Sequence, residues 1–303
     1  MSEPIVIRLG TRGSLLARTQ SQQVADSVMR ATPGVRVELV ILKTTGDRVQ
    51  DRPLADLGGK GLFTKELEQA LLAGTVDFAV HSYKDVPVTM PLVDASELAI
   101  VAVPPREDAR DVLVTRGGAA SVACLPPSAK VGTGSLRRKC QLLAQRTDLI
   151  VEGVRGNIDT RLRKLEAGEF DAIVLAAAGL KRAGLYNPAS MTLLDPTDMV
   201  PSPGQGALAI QCRRDDVHTI GLLRALHDPV TERCVNVERQ VVQALNGDCH
   251  SPIAAYAVER QGRIVLRIAV GGTDGAGPVR RALQDKSVAE AGLLAEMAIG
   301  DLA

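Results

Sequence analysis

The sequence predicts an α/β protein: doubly wound domains, followed by a small C-terminal α+β domain. Three observations lead there. Short β-branched runs alternate with segments of helical period from the start. Glycine-rich turns stand where strands pass into helices. Near Asp228-Pro229 the alternation lapses, and one long helix is followed by two adjacent strands.

Taken in order, Ile5 to Leu9 reads as a strand, Ser14 to about Arg30 as a helix, and Val35 to Leu42 as a second strand. After a polar loop with Gly46, Gly58, Gly59 and Gly61 comes a helix from Leu62 to Ala73, its apolar face made by Leu62, Phe63, Leu67, Ala70 and Leu71. Gly74 closes it, and Val76 to Val80 returns as a strand. Such short connections predict a mostly parallel sheet.

The pattern restarts after Pro104-Pro105. Strands are expected at Asp111 to Thr115, Lys130-Val131, Leu149 to Val154 and Ala172 to Ala176, with helices from Leu136 and over Ile158 to Ala167. Gly10-Thr11-Arg12-Gly13-Ser14-Leu15 echoes Gly132-Thr133-Gly134-Ser135-Leu136, and chance similarity of two glycine-rich turns explains this as well as a repeat does. The third region reads as a helix over about Thr231 to Leu245, a loop from Asn246 to Pro252, and strands Ile253 to Val258 and Arg263 to Val270 meeting at Gln261-Gly262. A helix from about Ser287 ends the chain.

Composition narrows the function classes. The 303 residues carry 36 Lys+Arg against 35 Asp+Glu, so no overall field draws the chain to nucleic acid or to a membrane. Six aromatics, none of them Trp, are too few for a base-stacking platform. No apolar run reaches the roughly 18 residues of a membrane span, and no leader pattern follows Met1, which together predict a cytoplasmic address. Cys124, Cys140, Cys212, Cys234 and Cys249 show neither disulfide parity nor metal-ligand spacing, so no metal is expected.

Charge is nevertheless uneven. Between Arg106 and Arg182 stand 14 basic residues against nine acidic ones. Arg137 and Arg138 open a helix after a glycine-rich turn, where free N–H groups already favour an anion. Arg155 follows a strand and Arg161 lies in the next helix, and arginine suits bidentate contact with carboxylates. Gly58-Gly59-Lys60-Gly61 lacks the spacing of a nucleotide-phosphate loop and fits a lid or hinge equally well. Lys84-Asp85 closes the strand ending at Val80, a suitable place for proton chemistry or for a structural ion pair. Cys249 lies in a polar loop, where an inert buried thiol, the default for an isolated cysteine, competes with an accessible point of covalent attachment. Two rivals share these features: a two-lobed anion-binding protein without catalysis, and a thiol hydrolase using Cys249-His250.

The strings LGTRGSLLA (9–17), GGKGLFTKEL (58–67), AVHSYKDVP (79–87), VGTGSLRR (131–138), VRGNIDTRL (154–162), AAAGLKRAGL (176–185), PSPGQGA (201–207) and GDCHSPIA (247–254) resemble the porphobilinogen deaminase family, in order and over nearly the whole chain. The resemblance implies two periplasmic-binding-protein-like doubly wound domains flanking a cleft, plus a small C-terminal α+β domain. It divides the chain into 1–104 with 200–224, then 105–199, then 225–303. The implied activity condenses four porphobilinogen molecules with release of ammonia, then hydrolyses the product to hydroxymethylbilane. Each deamination leaves an electrophilic azafulvene-like carbon for the last pyrrole of the growing chain to attack.

The same resemblance implies a dipyrromethane cofactor held by a thioether to Cys249, and a monomer. Asp85 matches the catalytic aspartate. Lys84, Asp85, Ser135, Arg137, Arg138 and Arg155 match cofactor-binding positions, and Arg12, Ser14, Arg155, Arg161 and Arg182 substrate-binding ones. Lys60 and Phe63 match a mobile loop, and Gln205 an interdomain position. The chain departs from the family pattern at Asp56, Gly134 and Asp248, the last of which puts thiolate character at Cys249 in doubt.

Overall fold

The computed structural model describes residues 4–44, 64–88, 96–118, 121–248, 251–275 and 277–302. Asp56, the Gly58–Gly61 turn, Lys60, Phe63, Cys249 and His250 lie outside the described residues. The chain divides into one unit of residues 1–106 with 207–232, and a second of residues 107–206 with 233–303.

In the first unit, strand β1 (Ile5–Arg12) pairs in parallel along its length with β2 (Val35–Leu42). β2 buries Val35 and Val37 while Arg36 and Glu38 face out, the period-two pattern of a half-covered strand. Two strands follow, β3 (Phe78–Ser82) and β4 (Leu98–Ala102). The sheet order is β2-β1-β3-β10-β4, where β10 (Leu208–Arg213) comes from the far side of the second unit in sequence and runs antiparallel to both neighbours.

Helix α1 (Leu15–Ala31) covers one face, packing Val24, Ala25 and Val28 with Ile7, Leu9, Phe78, Val80 and Ile210. Helix α2 (Lys65–Leu72) covers the other, setting Leu67, Ala70 and Leu71 on Val76, Ala79 and Leu98. Each Val, Leu, Ile or Phe side chain so removed from water contributes about 1.5–3 kcal/mol, and with both faces covered the sheet is doubly wound. Gly10 eases the approach of α2 to β1, since a Cβ there would stand 3.2 Å from side-chain carbons of both Leu67 and Val76, tighter than ordinary van der Waals contact.

The second unit repeats the plan. β5 (Asp111–Thr115), β6 (Lys130–Gly132), β7 (Ile150–Glu152), β8 (Ala172–Ala176) and β9 (Met191–Leu193) form a sheet in the order β7-β6-β8-β5-β9. Here too the fourth position holds the antiparallel strand, β5. Helices α3 (Leu136–Gln145), α4 (Ile158–Glu166) and α5 (Ala177–Arg182) wind between the strands. Apolar clusters around Leu113, Val131 and Leu142 and around Val112, Phe170 and Ile173 make its core.

Each sheet therefore admits one antiparallel strand in an otherwise parallel order, and both of those strands begin just after the chain changes unit. The echo between the two glycine-rich turns is structural as well, because both turns leave the second strand in the sheet order. Ser14 caps α1 and Ser135 caps α3, their hydroxyls accepting the N–H of Ala17 and Arg138.

Helices α6 (Val217–Arg224) and α7 (Pro229–Ala244) lead into β11 (Ile253–Arg260), β12 (Arg263–Val270) and β13 (Arg280–Ser287), a separate antiparallel sheet. Gln261 and Gly262 both adopt positive φ, as the tight hairpin between β11 and β12 requires. A helix from Ser287 was expected at the chain end. It is present as a 3-10 stretch, Val288–Leu293, that runs into α8 (Leu294–Gly300), and the strand before it, Arg280–Ser287, paired over eight positions with β12, was not foreseen. The polar string RRALQDKS shows little strand propensity, so pairing rather than local preference makes it one.

Candidate functional site

Turn chemistry brings the first group of predicted residues together. β1 ends at Arg12, and Ser14 then starts α1. Thr11 Oγ1 donates to the Ala17 carbonyl at 3.2 Å and accepts from Ser21 Oγ at 2.7 Å, pinning the first turn of α1 to the strand end. β3 runs into a 3-10 turn, Tyr83–Asp85, which lifts Lys84 and Asp85 past the C-terminal end of the strand. Ligands gather at such edges in α/β sheets.

A pocket opens there, lined by Arg12, Gln20, Thr64, His81, Ser82 and Asp85 over a floor of Ala17, Leu67 and Val80. Asp85 is exposed, Arg12 and Ser82 half-buried. Ser82 Oγ donates to Gln20 Oε1 at 3.2 Å. Below them a buried polar chain runs from His81 to Gln211 and on to Glu68, with 2.9 Å at each step. Burial pushes the His81 imidazole down to about 4 against the opposing bond from Gln211, and the Arg12 charge adds to the fall. His81 is neutral at pH 7.

The second group lies in the other unit and is built differently. Ser135 caps α3, and the next turn carries Arg137 and Arg138. Through their guanidinium groups, both arginines already hold a carboxylate of the protein itself. They are only 4% and 6% exposed, and both turn onto Asp111, itself fully buried at the start of β5. Arg137 Nη1 meets Asp111 Oδ2 at 2.7 Å; Arg138 donates Nε and Nη2 to Oδ1 at 3.0 and 2.7 Å. Gln205 Nε2 completes the cage at 2.9 Å from Oδ1 and also holds the Ala109 carbonyl.

Burial alone would raise the Asp111 carboxyl, but the charges of Arg137 and Arg138 and their hydrogen bonds prevail and hold it well below the usual carboxylate range. The physical reason for the inward turn is that two guanidinium groups this deep need a counter-charge. Arg137 Nε remains buried without a partner, so one N–H of the pair is unspent.

In the same unit, Arg155 is exposed after β7, and Arg161 Nε donates to the Gly156 carbonyl at 2.8 Å. Arg182 Nη2 donates to the Gly206 carbonyl at 2.7 Å; burial lowers it to about 10 against the pull of Glu107, so it keeps its charge. Sequence reasoning missed Asp111, reading it only as a strand start, and missed Gln20, Ser82 and Gln211. Ser82 and His81 lay within the HSYKDVP string, but nothing local marks Asp111 as the partner of arginines 26 and 27 residues on.

Among the described cysteines, Cys140, Cys212 and Cys234 are buried and Cys124 is exposed. Burial pushes the Cys212 thiol up to about 12 and raises that of Cys140, which makes both poor nucleophiles.

Fold and site together define a doubly wound α/β protein with an exposed carboxylate and an arginine lining a pocket past the strand ends of its first sheet. The chain belongs to the porphobilinogen deaminase family. The family model described as "Porphobilinogen deaminase, dipyromethane cofactor binding domain" matches residues 7–221, and "Porphobilinogen deaminase, C-terminal domain" matches 232–298.

Porphobilinogen deaminase of Syntrophobacter fumaroxidans is 51% identical, over 89% of this chain and 85% of its own length. That of Sorangium cellulosum is 49% identical, over 90% and 89% respectively, and that of Nitrobacter winogradskyi 47%, over 89% and 84%. The periplasmic aliphatic sulphonate binding protein SsuA of Escherichia coli is similar at 16% identity, with a TM-score of 0.39 over 80% of this chain and 75% of that one. The strand order, not that likeness, defines the fold.

Proposed function

We propose that this chain joins four porphobilinogen molecules head to tail on a dipyrromethane primer, releasing ammonia at each addition and hydroxymethylbilane at the end. The observation that carries the reading is Asp85, an exposed carboxylate sharing a pocket with Arg12 in a chain of this family. Loss of ammonia from a pyrrolic methylene leaves a cation, and a fixed carboxylate beside it stabilises that charge. Arg12 and Ser14 take the acetate or propionate of the incoming pyrrole, while Lys84 offers a second cation beside Asp85. Arg161 and Arg182 are assigned to substrate binding as well.

The primer supplies the α-carbon to which the first pyrrole is joined. The residues present fit a group bearing four carboxylates: Ser135, the unspent Nε–H of Arg137 and the exposed Arg155 are donors at one strand edge. Arg138 acts chiefly through Asp111, holding Arg137 and the start of α3 in place. Cys249 carries the thioether in this reading; the burial of Cys140, Cys212 and Cys234 leaves Cys124 as the described competitor. The family resemblance assigns Lys60 and Phe63 to a mobile loop, and Gln205 supports Asp111.

We assign residues 1–104 and 200–224, 105–199 and 225–303 to three domains. No described helix is long and apolar enough to cross a membrane. A cytoplasmic, monomeric enzyme without nucleic-acid or membrane partners completes the proposal.

Intact mass tests it. Wild-type protein should exceed its sequence mass by two linked pyrrole units, and Cys249→Ser should not, whereas Cys124→Ser should keep the excess. A protein that gains no mass even after porphobilinogen is added would be an anion-binding relative.

A further inference from the structure

The polar chain beneath the pocket dictates which nitrogen of His81 carries the proton. Glu68 lies on α2 and Gln211 on β10; they are 0% and 1% exposed. Gln211 Nε2 donates to Glu68 Oε1 at 2.9 Å. That leaves Gln211 Oε1, an atom that only accepts, facing His81 Nε2 at 2.9 Å. Nε2 must therefore bear the hydrogen. A neutral imidazole has one N–H, so Nδ1 is a lone pair. Among the described residues Nδ1 takes no hydrogen bond, and His81 lines the same pocket as Arg12, Gln20, Ser82 and Asp85.

We propose that His81 is a substrate-positioning acceptor, its Nδ1 lone pair taking a hydrogen bond from an N–H of porphobilinogen, with Gln211 and Glu68 as the residues that fix its tautomer. This deepens the proposed function and rests on it. The charged groups facing His81 are Arg12 from β1, Asp85 from the turn after β3 and, through Gln211, Glu68 from α2. Arg12 and burial both oppose protonation, so the lone pair survives at pH 7. This matters chemically, because porphobilinogen brings an ammonium and a pyrrole N–H. An imidazolium would repel the first and could accept from neither. The pocket then sorts the substrate by group, with carboxylates toward Arg12 and N–H donors toward Asp85 and His81.

Two conservative variants separate this role from a buttress. Asn places its amide oxygen where Nδ1 sits; Gln places its amide nitrogen where Nε2 sits. If Nδ1 positions substrate, His81→Asn retains kcat/KM for ammonia release within about three-fold, while His81→Gln loses about ten-fold, the value of one hydrogen bond. A structural role alone reverses that order, and His81→Gln matching wild type would overturn the proposal. Should both variants misfold, 15N-labelled wild-type holoenzyme decides. Nδ1 should give the signal of an unprotonated ring nitrogen, and the same signal in Asp85→Asn holoenzyme should move when porphobilinogen is added. A proton on Nδ1, or a signal indifferent to substrate, refutes the assignment. Asp85→Asn kinetics run in parallel keep the two readings apart. An inactive Asp85→Asn beside a normal His81→Gln rejects only the acceptor, whereas normal turnover in both rejects the site itself.

Discussion

The two sheets share strand order, the place of the antiparallel strand and a serine-capped helix after the glycine-rich turn, yet they spend their charges in opposite ways. In the first unit Asp85 and Arg12 line an open pocket, and the buried layer beneath is neutral or acceptor-rich. In the second, two arginines at the matching helix start are consumed by a buried aspartate. The difference teaches that a cation at a strand edge is a receptor only if the protein has not already neutralised it. Arg137 and Arg138 are first of all a folded-state ion triad, and any ligand role must use what that triad leaves over.

The largest expected effect breaks the second half. Asp111→Ala leaves two buried guanidinium groups without their counter-charge and should cost about 3–5 kcal/mol, read from the urea midpoint. Arg138→Leu should lower stability measurably too, which distinguishes it from a ligand-only arginine. A midpoint unchanged in both would mean the triad is ornamental.

Breaking the first half should cost chemistry and leave the fold alone. Asp85→Asn is expected to slow ammonia release on the order of 100-fold or more with an unchanged melting temperature. Near-wild-type turnover would remove Asp85 from the reacting group.

A pH titration sharpens the contrast. His81 titrates near 6.5 when unfolded and near 4 when folded, so between those values the unfolded chain holds the extra proton. Stability should therefore be fully present above about pH 6.5 and fall by about 3 kcal/mol on acidification to pH 4. In His81→Asn that slope should vanish. Asp111, whose folded value is depressed, contributes above its unfolded value of 3.8 and loses its share only at lower pH, as its carboxylate is protonated. The smallest effect concerns the shared turn. Ser14→Ala and Ser135→Ala should each cost about 1 kcal/mol as lost caps, and a markedly unequal pair would mean one hydroxyl has a second duty.

Much of this was legible in order along the chain. The strand at Asp111–Thr115, the strand at Ala172–Ala176, the helix starts at Leu15 and Leu136 and the Gln261-Gly262 hairpin all follow from local pattern, because period and turn chemistry act over a few residues. β4, β9, β10 and β13 were not anticipated. The partners of β4, β9 and β10 lie far away in sequence, while β13 follows its partner β12 closely but is polar, and is a strand because β12 offers it a ladder.

The site divides the same way. Asp85 and Arg12 could be named from the strings that carry them, since each sits at a strand-to-turn junction that local sequence marks. Sequence by itself determined the alternation, the caps, the excess of arginine and the family. Only the tertiary structure decided which arginines stay open. That choice depends on a carboxylate buried 26 residues upstream of Arg137 and on an amide from the Gln205 turn, groups that no local periodicity links and that desolvation forces together. The tautomer of His81 is likewise a tertiary property, set by Gln211 on a strand 130 residues away.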